Sequence, residues 1–365
     1  GPEYLNFMNF EAAGSAVTYD SNSFAPDSAS TATSISTGYK TYSGSINVDE
    51  TGTISYETIA EQLHAQKGYS VGVITSVNLN HATPAAFYAH QASRNDYYDI
   101  GLELIDSGFE YFAGGGLLKP TGAEGDQADL YALAEKAGYH VVKTQAEAEQ
   151  VTGGPVVIID EHLADSDAMA YEIDRTDDMW ALADYVEKGI EVLSQDKDGF
   201  FMMCEGGKID WACHANDAAS TIHDTQALAD AVQVAIDFAK EHAHETLILV
   251  TGDHETGGLT IGFAGTDYDT YLDLLENQKI SFAKYDSDYV ASYKANKTPF
   301  GTVLADIEKL FGLKAQGEEG DKLVLTAYEM EQLRAAYEKS INGTASSQYD
   351  QAEYVLYGTY EPLSV

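Results

Sequence analysis

Two short apolar runs, Phe200–Met203 and Thr246–Val250, lead directly into clusters of metal-ligand residue types, and that repetition narrows the folds open to this chain. After the first run come Glu205, the Gly206-Gly207 pair, Asp210 and His214. After the second come Asp253, His254 and Glu255, then Thr256-Gly257-Gly258. Short apolar runs bounded by turn residues suit strands buried on both faces of a parallel sheet. Between them, Thr221–Glu241 places Ile222, Leu228, Val232, Ala235, Ile236 and Ala239 at helical spacing. Strand, helix, strand is a parallel crossover, so both clusters are expected at the carboxyl ends of neighbouring strands, where open α/β sheets carry their sites. The glycine pair is expected to turn the backbone sharply off the sheet edge. With a helix starting near Ile209, Asp210 and His214 lie one turn apart on one face, a spacing that can grip a divalent ion, with Glu205 near enough to serve it or a neighbouring ion. The same residues also read as a solvated helix start with Asp in its first turn.

The rest of the chain repeats the strand–helix alternation. Small residues from Ala29 to Ser36 predict a tightly packed helix with Gly38 as its C-cap. Ser28 then sits at the helix N-terminus, where backbone N–H groups and the dipole favour an anion; an ordinary Asp or Ser N-cap is the competing reading. Helices are predicted over Ser55–Gly68, Ala85–Arg94, Ala128–Ala137 and Asp177–Leu193, with strands at Tyr69–Thr75, Phe109–Gly116, Tyr139–Val142 and Pro155–Ile159. The expected fold class is α/β, with a mostly parallel central sheet, helices on both faces and a helical insertion. Residues 1–265 are expected to form the catalytic core and 266–345 a mostly helical insertion, with a Thr326/Glu329 capping box opening a helix to Lys339. Residues 346–365 read as a connection returning to the core.

Charge excludes several roles. With 20 basic and 59 acidic residues the net charge is −39, which argues against nucleic acid and anionic membrane as partners. A phosphate site on such a surface has to be made positive locally, by metal or arginine. The chain has three arginines, Arg94, Arg175 and Arg334, so an arginine beside a candidate site carries weight. The acidity reads as high solubility, with secretion or salt adaptation as its setting. Cys204 and Cys213 lack Cys-x-x-Cys spacing and read as core thiols. No stretch is long and apolar enough to span a bilayer.

Four motifs in order complete the pattern: Asp27-Ser28-Ala29 with Thr31-Ala32-Thr33; His81-Ala82-Thr83-Pro84 with Arg94; Glu205 to His214; and Asp253-His254-Glu255-Thr256-Gly257-Gly258. In this order and spacing the chain resembles alkaline phosphatases, above all bacterial enzymes carrying DHETGG and a helical insertion. The resemblance covers residues 4–262 closely and the remainder loosely. It implies a phosphate monoesterase in which Ser28 is the nucleophile of a phosphoserine intermediate and Arg94 clamps the phosphoryl group with its planar fork. It further implies one zinc on Asp210 and His214, a second on Asp253 and His254, and a magnesium on Glu205 and Thr83. His81 and Trp211 fall near the bound phosphate, at positions where some relatives carry Asp and Lys; Trp211 also reads as a packing residue. A homodimer in the full-length form and a periplasmic or extracellular location are implied as well.

Two departures stand against that pattern. Relatives open their core with a strand ending in Asp-Gly and supply a late histidine to the first zinc. Here Asp20 and Asp27 are the only aspartates before Ser28, and no histidine follows His254. The expectation is therefore a fragment lacking the first strand and the final His-bearing strand. A phosphodiesterase or sulfatase relative is the nearest alternative, disfavoured because such enzymes generally use Thr or a modified Cys or Ser as nucleophile. A non-catalytic acidic secreted protein that binds metal or a partner is the alternative outside enzymes.

Overall fold

The computed structural model describes residues 5–256, 259 and 269–343. Its elements alternate as the sequence predicts. In chain order they are α1 (Ser28–Thr37), α2 (Ile59–Lys67), β1 (Ser70–Asn78), α3 (Ala82–Ala85), α4 (Tyr97–Asp106), β2 (Tyr111–Gly115), α5 (Leu130–Ala137), β3 (His140–Val142), α6 (Gln145–Glu149) and β4 (Val156–Ile159). Then follow α7 (Leu182–Leu193), β5 (Phe200–Glu205), α8 (Gly207–His214) and α9 (Ala218–Glu241), with α10 (Phe282–Lys284), α11 (Ala291–Asn296), α12 (Phe300–Phe311) and α13 (Ala327–Asn342) after them. Among the described residues, no helix is long and apolar enough to cross a membrane. The chain divides into two compact units, residues 1–170, 176–207 and 226–255 in the first and 171–175, 208–225 and 256–365 in the second.

The first unit is built on a five-stranded sheet of order β3-β4-β2-β1-β5, every ladder parallel. Strand side chains alternate between two cores, as period-2 geometry requires. Val71, Val73, Phe112, Val157 and Ile159 face one cluster, which includes α1, α4 and α5 residues such as Ala29, Leu104 and Leu130. Ile74, Tyr111, Ala113, Val156 and Ile158 face the other, closed by Leu182, Tyr185 and Val186 of α7. Helices thus cover both faces, which is why apolar residues of the strands point to either side. From β1 the chain runs to β2 on one side and later places β5 on the other, so the crevice at the carboxyl ends of β1 and β5 is the switch point of the sheet.

Helix ends follow local chemistry. Asp27 caps α1 by accepting from Ser30 N, and Gly38 closes it in a left-handed conformation, φ 80°. The predicted helix over Ser55–Gly68 starts only at Ile59, because Thr58 and Glu61 form a capping box. Helix α7 likewise begins at Leu182 rather than Asp177, with the Asp184 side chain accepting from Ala181 N.

Two expectations are corrected. Thr246–Val250 is not a strand: among the described residues it has no ladder partner, and Leu247 and Leu249 are each 81% exposed. Its alternation of exposed and half-buried residues survives, but apolar composition expresses a need for burial and does not supply the hydrogen-bonded neighbour a strand requires. Ala85–Arg94 is not helical beyond α3 and the turn after it. Gln91 instead exchanges backbone hydrogen bonds with Ile46 (2.9 and 3.0 Å), and Arg94 N donates to Gly44 O at 2.7 Å, so pairing across the unit overrides local helix propensity. The glycine pair turns the chain from β5 into α8 as expected, and at Gly207 a Cβ would meet both Val77 methyls within 2.9 Å and the Glu205 carboxyl carbon at 3.1 Å, so glycine supplies space there.

The second unit is helical and has its own core of Tyr285, Val303, Ile307, Phe311 and Leu333. The predicted capping box is present, with Glu329 N donating to Thr326 Oγ1 at 3.2 Å and Thr326 N to Glu329 Oε2 at 2.6 Å. Asp217, fully buried, caps α9 through Ser220 N (3.0 Å) and Ser220 Oγ (2.7 Å) and also accepts from Gln278 Nε2 (2.7 Å) and Phe282 N (3.0 Å). One carboxylate therefore joins the start of α9 to the segment that opens α10. Residues 346–365 lie outside the described residues.

Candidate active site

Ser28 is the first residue of α1, 8% exposed, directly after the Asp27 cap. Its Oγ lies 3.0 Å from Nε2 of His254. His254 Nε2 is in turn 3.5 Å from Asp253 Oδ2, which accepts from Thr31 Oγ1 at 3.3 Å. The Asp27-Ser28-Ala29 and Asp253-His254-Glu255 motifs, more than two hundred residues apart, are thus brought into contact, with α1 supplying both Ser28 and Thr31 from one face. Glu255 accepts from Thr18 Oγ1 at 3.4 Å, while Gly257 and Gly258 fall outside the described residues.

Arg94 reaches the same helix end. Its Nη1 donates to Asp27 Oδ2 at 2.9 Å. Asp27 Oδ1 is taken up by Ser30 N (3.1 Å), Ser30 Oγ (2.9 Å) and Gly44 N (2.9 Å). Burial works to raise the Asp27 pKa, but the Gly44 N–H, the Arg94 guanidinium and the Ser30 N–H outweigh it and hold the carboxyl below its ordinary value. His81 Nε2 lies 3.4 Å from Arg94 Nη2. Burial, reinforced by the Arg94 charge, lowers the His81 pKa to about 4, so the ring is neutral and accepts from the guanidinium.

Glu205 ends β5 opposite Thr75 of β1, and its Oε2 accepts from Thr75 Oγ1 at 2.5 Å. Thr83, 8% exposed, sits in α3 after the loop that follows β1. In the second unit, Asp210 Oδ1 and His214 Nε2 lie 3.4 Å apart along α8. Trp211, between them, stacks on the buried Lys208, whose Nζ is 4.5 Å from that ring and 3.8 Å from the Tyr171 ring. Trp211 is thus packed against Lys208. Asp224, also buried, has a pKa raised to about 7 by desolvation, with Lys208 opposing the shift.

The donor sets fit divalent cations. Ligand atoms about 2.0–2.1 Å from a tetrahedral ion stand about 3.3 Å from one another, which is the spacing seen in Asp253–His254 and in Asp210–His214. Ser28 Oγ adds a third donor to the first pair. Among the described residues no three His, Cys, Asp or Glu side chains converge on one point, so each pair brings two such ligands. Carboxylate and imidazole suit zinc, and an oxygen-only set such as Glu205 with the Thr75 hydroxyl suits magnesium.

Sequence reasoning did not read Asp27 as the partner of Arg94; the scarcity of arginine was the available signal. His90 belongs to none of the four sequence motifs, yet its ring lies between two glutamates.

Comparison with known proteins identifies the family. Residues 2–308 match the family model described as alkaline phosphatase. Alkaline phosphatase 3 of Bacillus subtilis is 33% identical over 316 residues, covering 85% of this chain and 63% of that protein. Alkaline phosphatase 4 of the same organism is 33% identical over 299 residues, covering 80% and 61%. Among solved structures, the cold-active alkaline phosphatase of a psychrophilic Shewanella species superposes with a TM-score of 0.76 at 28% identity, covering 94% of this chain and 76% of that one. A mutant alkaline phosphatase from TAB5, solved with Mg bound in its M3 site, gives a TM-score of 0.65 at 31% identity over 74% and 78%. The chain spans about three fifths of the length of the curated relatives it matches.

Proposed function

Because the chain belongs to the alkaline phosphatase family, we propose that it hydrolyses small phosphate monoesters through a phosphoserine on Ser28. The observation that carries this reading is the 3.0 Å approach of Ser28 Oγ to His254, with Asp253 beside it. In the first step Ser28 Oγ gives up its proton and bonds to phosphorus, while the bond to the leaving oxygen breaks and that oxygen takes up a proton. In the second, water opens the phosphoserine, releasing phosphate and restoring the hydroxyl.

The chain's own groups orient these steps. Arg94, anchored by Asp27, presents its remaining N–H donors to two phosphoryl oxygens, a bidentate contact that a lysine cannot make. The start of α1 adds backbone N–H groups and dipole to the same anion. Neutral His81 holds the guanidinium from the side. Asp253 and His254 would hold one zinc, Asp210 and His214 a second, and Glu205 with Thr83 a magnesium. Bound there, these ions lower the pKa of the serine hydroxyl and of the hydrolytic water and neutralise phosphoryl charge. The same family reading extends to a homodimer acting in the periplasm or outside the cell.

The test is turnover of aryl phosphate monoesters, diesters and sulfates by the zinc- and magnesium-loaded chain, beside Ser28→Ala. Monoesters should be cleaved fastest, and Ser28→Ala should lower that rate by about 10³-fold or more. Faster diester cleavage, or an unchanged rate in Ser28→Ala, overturns the reading.

A further inference from the structure

The loop that carries Arg94 has an anchor at each end. From Gln91 to Arg94 it pairs with residues 44–46, through the Ile46–Gln91 exchange, a Ser45 Oγ to Ala92 O contact at 3.3 Å and the Arg94 N to Gly44 O bond. At its start stands His90, whose ring lies between two helices. Nε2 is 3.3 Å from Glu61 Oε2 on α2 and 3.1 Å from Tyr56 O. Nδ1 is 3.6 Å from Glu103 Oε2 on α4. The same Glu103 oxygen accepts the His90 backbone N–H at 2.5 Å, and the other Glu103 oxygen accepts from Gln91 Nε2. Glu61 is itself fixed, because its Oε2 accepts from Thr58 N in the α2 capping box.

Each ring nitrogen therefore faces acceptor oxygens. A neutral imidazole carries one N–H and one lone pair, so one nitrogen would turn its lone pair toward a carboxylate; only the imidazolium presents N–H groups and positive charge to both sides. Burial disfavours that charge, but Glu103 and Glu61 outweigh it and raise the His90 pKa to about 10. The ring is 19% exposed, which shields the pair from solvent screening.

We propose that His90 is a positioning residue for Arg94: as an imidazolium bridging Glu61 on α2 and Glu103 on α4, it sets the loop that delivers the Arg94 guanidinium to the phosphoryl group. This rests on the reading of Arg94 as the phosphoryl clamp. A bidentate fork is demanding in position, since displacement of a binding group by about 1 Å can cost about 10²-fold. His90 acts at a distance of four residues, through the backbone that Glu103 and the 44–46 segment hold from either side.

The experiment is calorimetric titration of the zinc-loaded chain with inorganic phosphate, for wild type, His90→Gln, Arg94→Ala and the double variant, with melting temperatures alongside. Arg94→Ala should weaken phosphate binding by about 30-fold or more, consistent with loss of charge-assisted hydrogen bonds. His90→Gln should weaken it by about 5–10-fold alone and add almost nothing in the Arg94→Ala background, the sign of coupling through one group. If Arg94→Ala weakens binding and His90→Gln does not, or if His90→Gln costs the same factor in both backgrounds, the positioning role is wrong. If Arg94→Ala binds phosphate as wild type does, the clamp reading itself fails and the proposal falls with it. Should His90→Gln not fold, Glu103→Gln takes its place in the same cycle, since it keeps one acceptor oxygen but removes the charge that holds the imidazolium.

Discussion

Asp27 Oδ2 accepts from Arg94 Nη1 at 2.9 Å, while the other carboxylate oxygen of Asp27 holds Ser30 N and Gly44 N. One side chain thus caps the helix that begins with Ser28 and aims the arginine beside it. The division of labour between its two oxygens makes a prediction. Asp27→Asn keeps an oxygen for Ser30 and Gly44 but turns an NH₂ toward the guanidinium, donor against donor. Because Asn is as good an N-cap as Asp, stability should hardly change, while phosphate affinity should fall by about 10-fold, the cost of a lost charge-assisted bond. Calorimetry with inorganic phosphate, beside thermal melts, separates the two. Asp27→Ala should lose the cap as well, at about 1 kcal/mol.

Chelation should lower the melting temperature, and zinc should restore it. A ligand that binds only the folded state at a hundred times its dissociation constant adds about 2.7 kcal/mol. Differential scanning calorimetry with EDTA and then zinc measures this, and Asp253→Asn together with His254→Ala should blunt the response. An EDTA melt that overlays the untreated one would count against the Asp253–His254 and Asp210–His214 pairs as ion sites.

His90 makes stability depend on pH in a defined direction. Its folded pKa is raised to about 10 by Glu103 and Glu61 against burial, from an unfolded value of 6.5. The folded state therefore binds the proton more tightly, and that stabilisation is fully present below pH 6.5 and lost as pH rises through about 10. Urea denaturation of wild type and His90→Gln at several pH values should give a stability difference that is largest near neutrality or below and shrinks toward pH 10. A difference that grows with pH would contradict the imidazolium assignment.

Asp217 is the corresponding hub of the helical unit. Replacing it with alanine leaves Ser220, Gln278 and the Phe282 N–H without their buried acceptor. Such losses typically cost about 1–3 kcal/mol per stranded group, so Asp217→Ala should destabilise by about 3 kcal/mol or more. Asp217→Asn, which keeps one oxygen, should cost less; chemical denaturation of both variants checks the order.

Much of this was legible in the chain. Short apolar runs bounded by turn residues located β1 to β5, and capping chemistry located α1, α2 and α13 within a few residues. The Ser28–His254 approach followed from motif order and the family resemblance. What escaped was set by distant pairing. Thr246–Val250 has strand composition without a ladder partner among the described residues, and Ala85–Arg94 has helical composition but gives its backbone groups to residues 44–46. Local pattern also could not show that Asp27 would meet Arg94, or that His90 would lie between Glu61 and Glu103, because each contact joins elements far apart in sequence.

The most direct measurement is to quench the metal-loaded chain in acid during turnover of a phosphate monoester and map covalent phosphate by peptide mass spectrometry. Phosphate should appear on the peptide containing Ser28, at its hydroxyl, and be absent from Ser28→Ala. Turnover with phosphate on another residue, or with none on Ser28 at any quench time, would contradict the account.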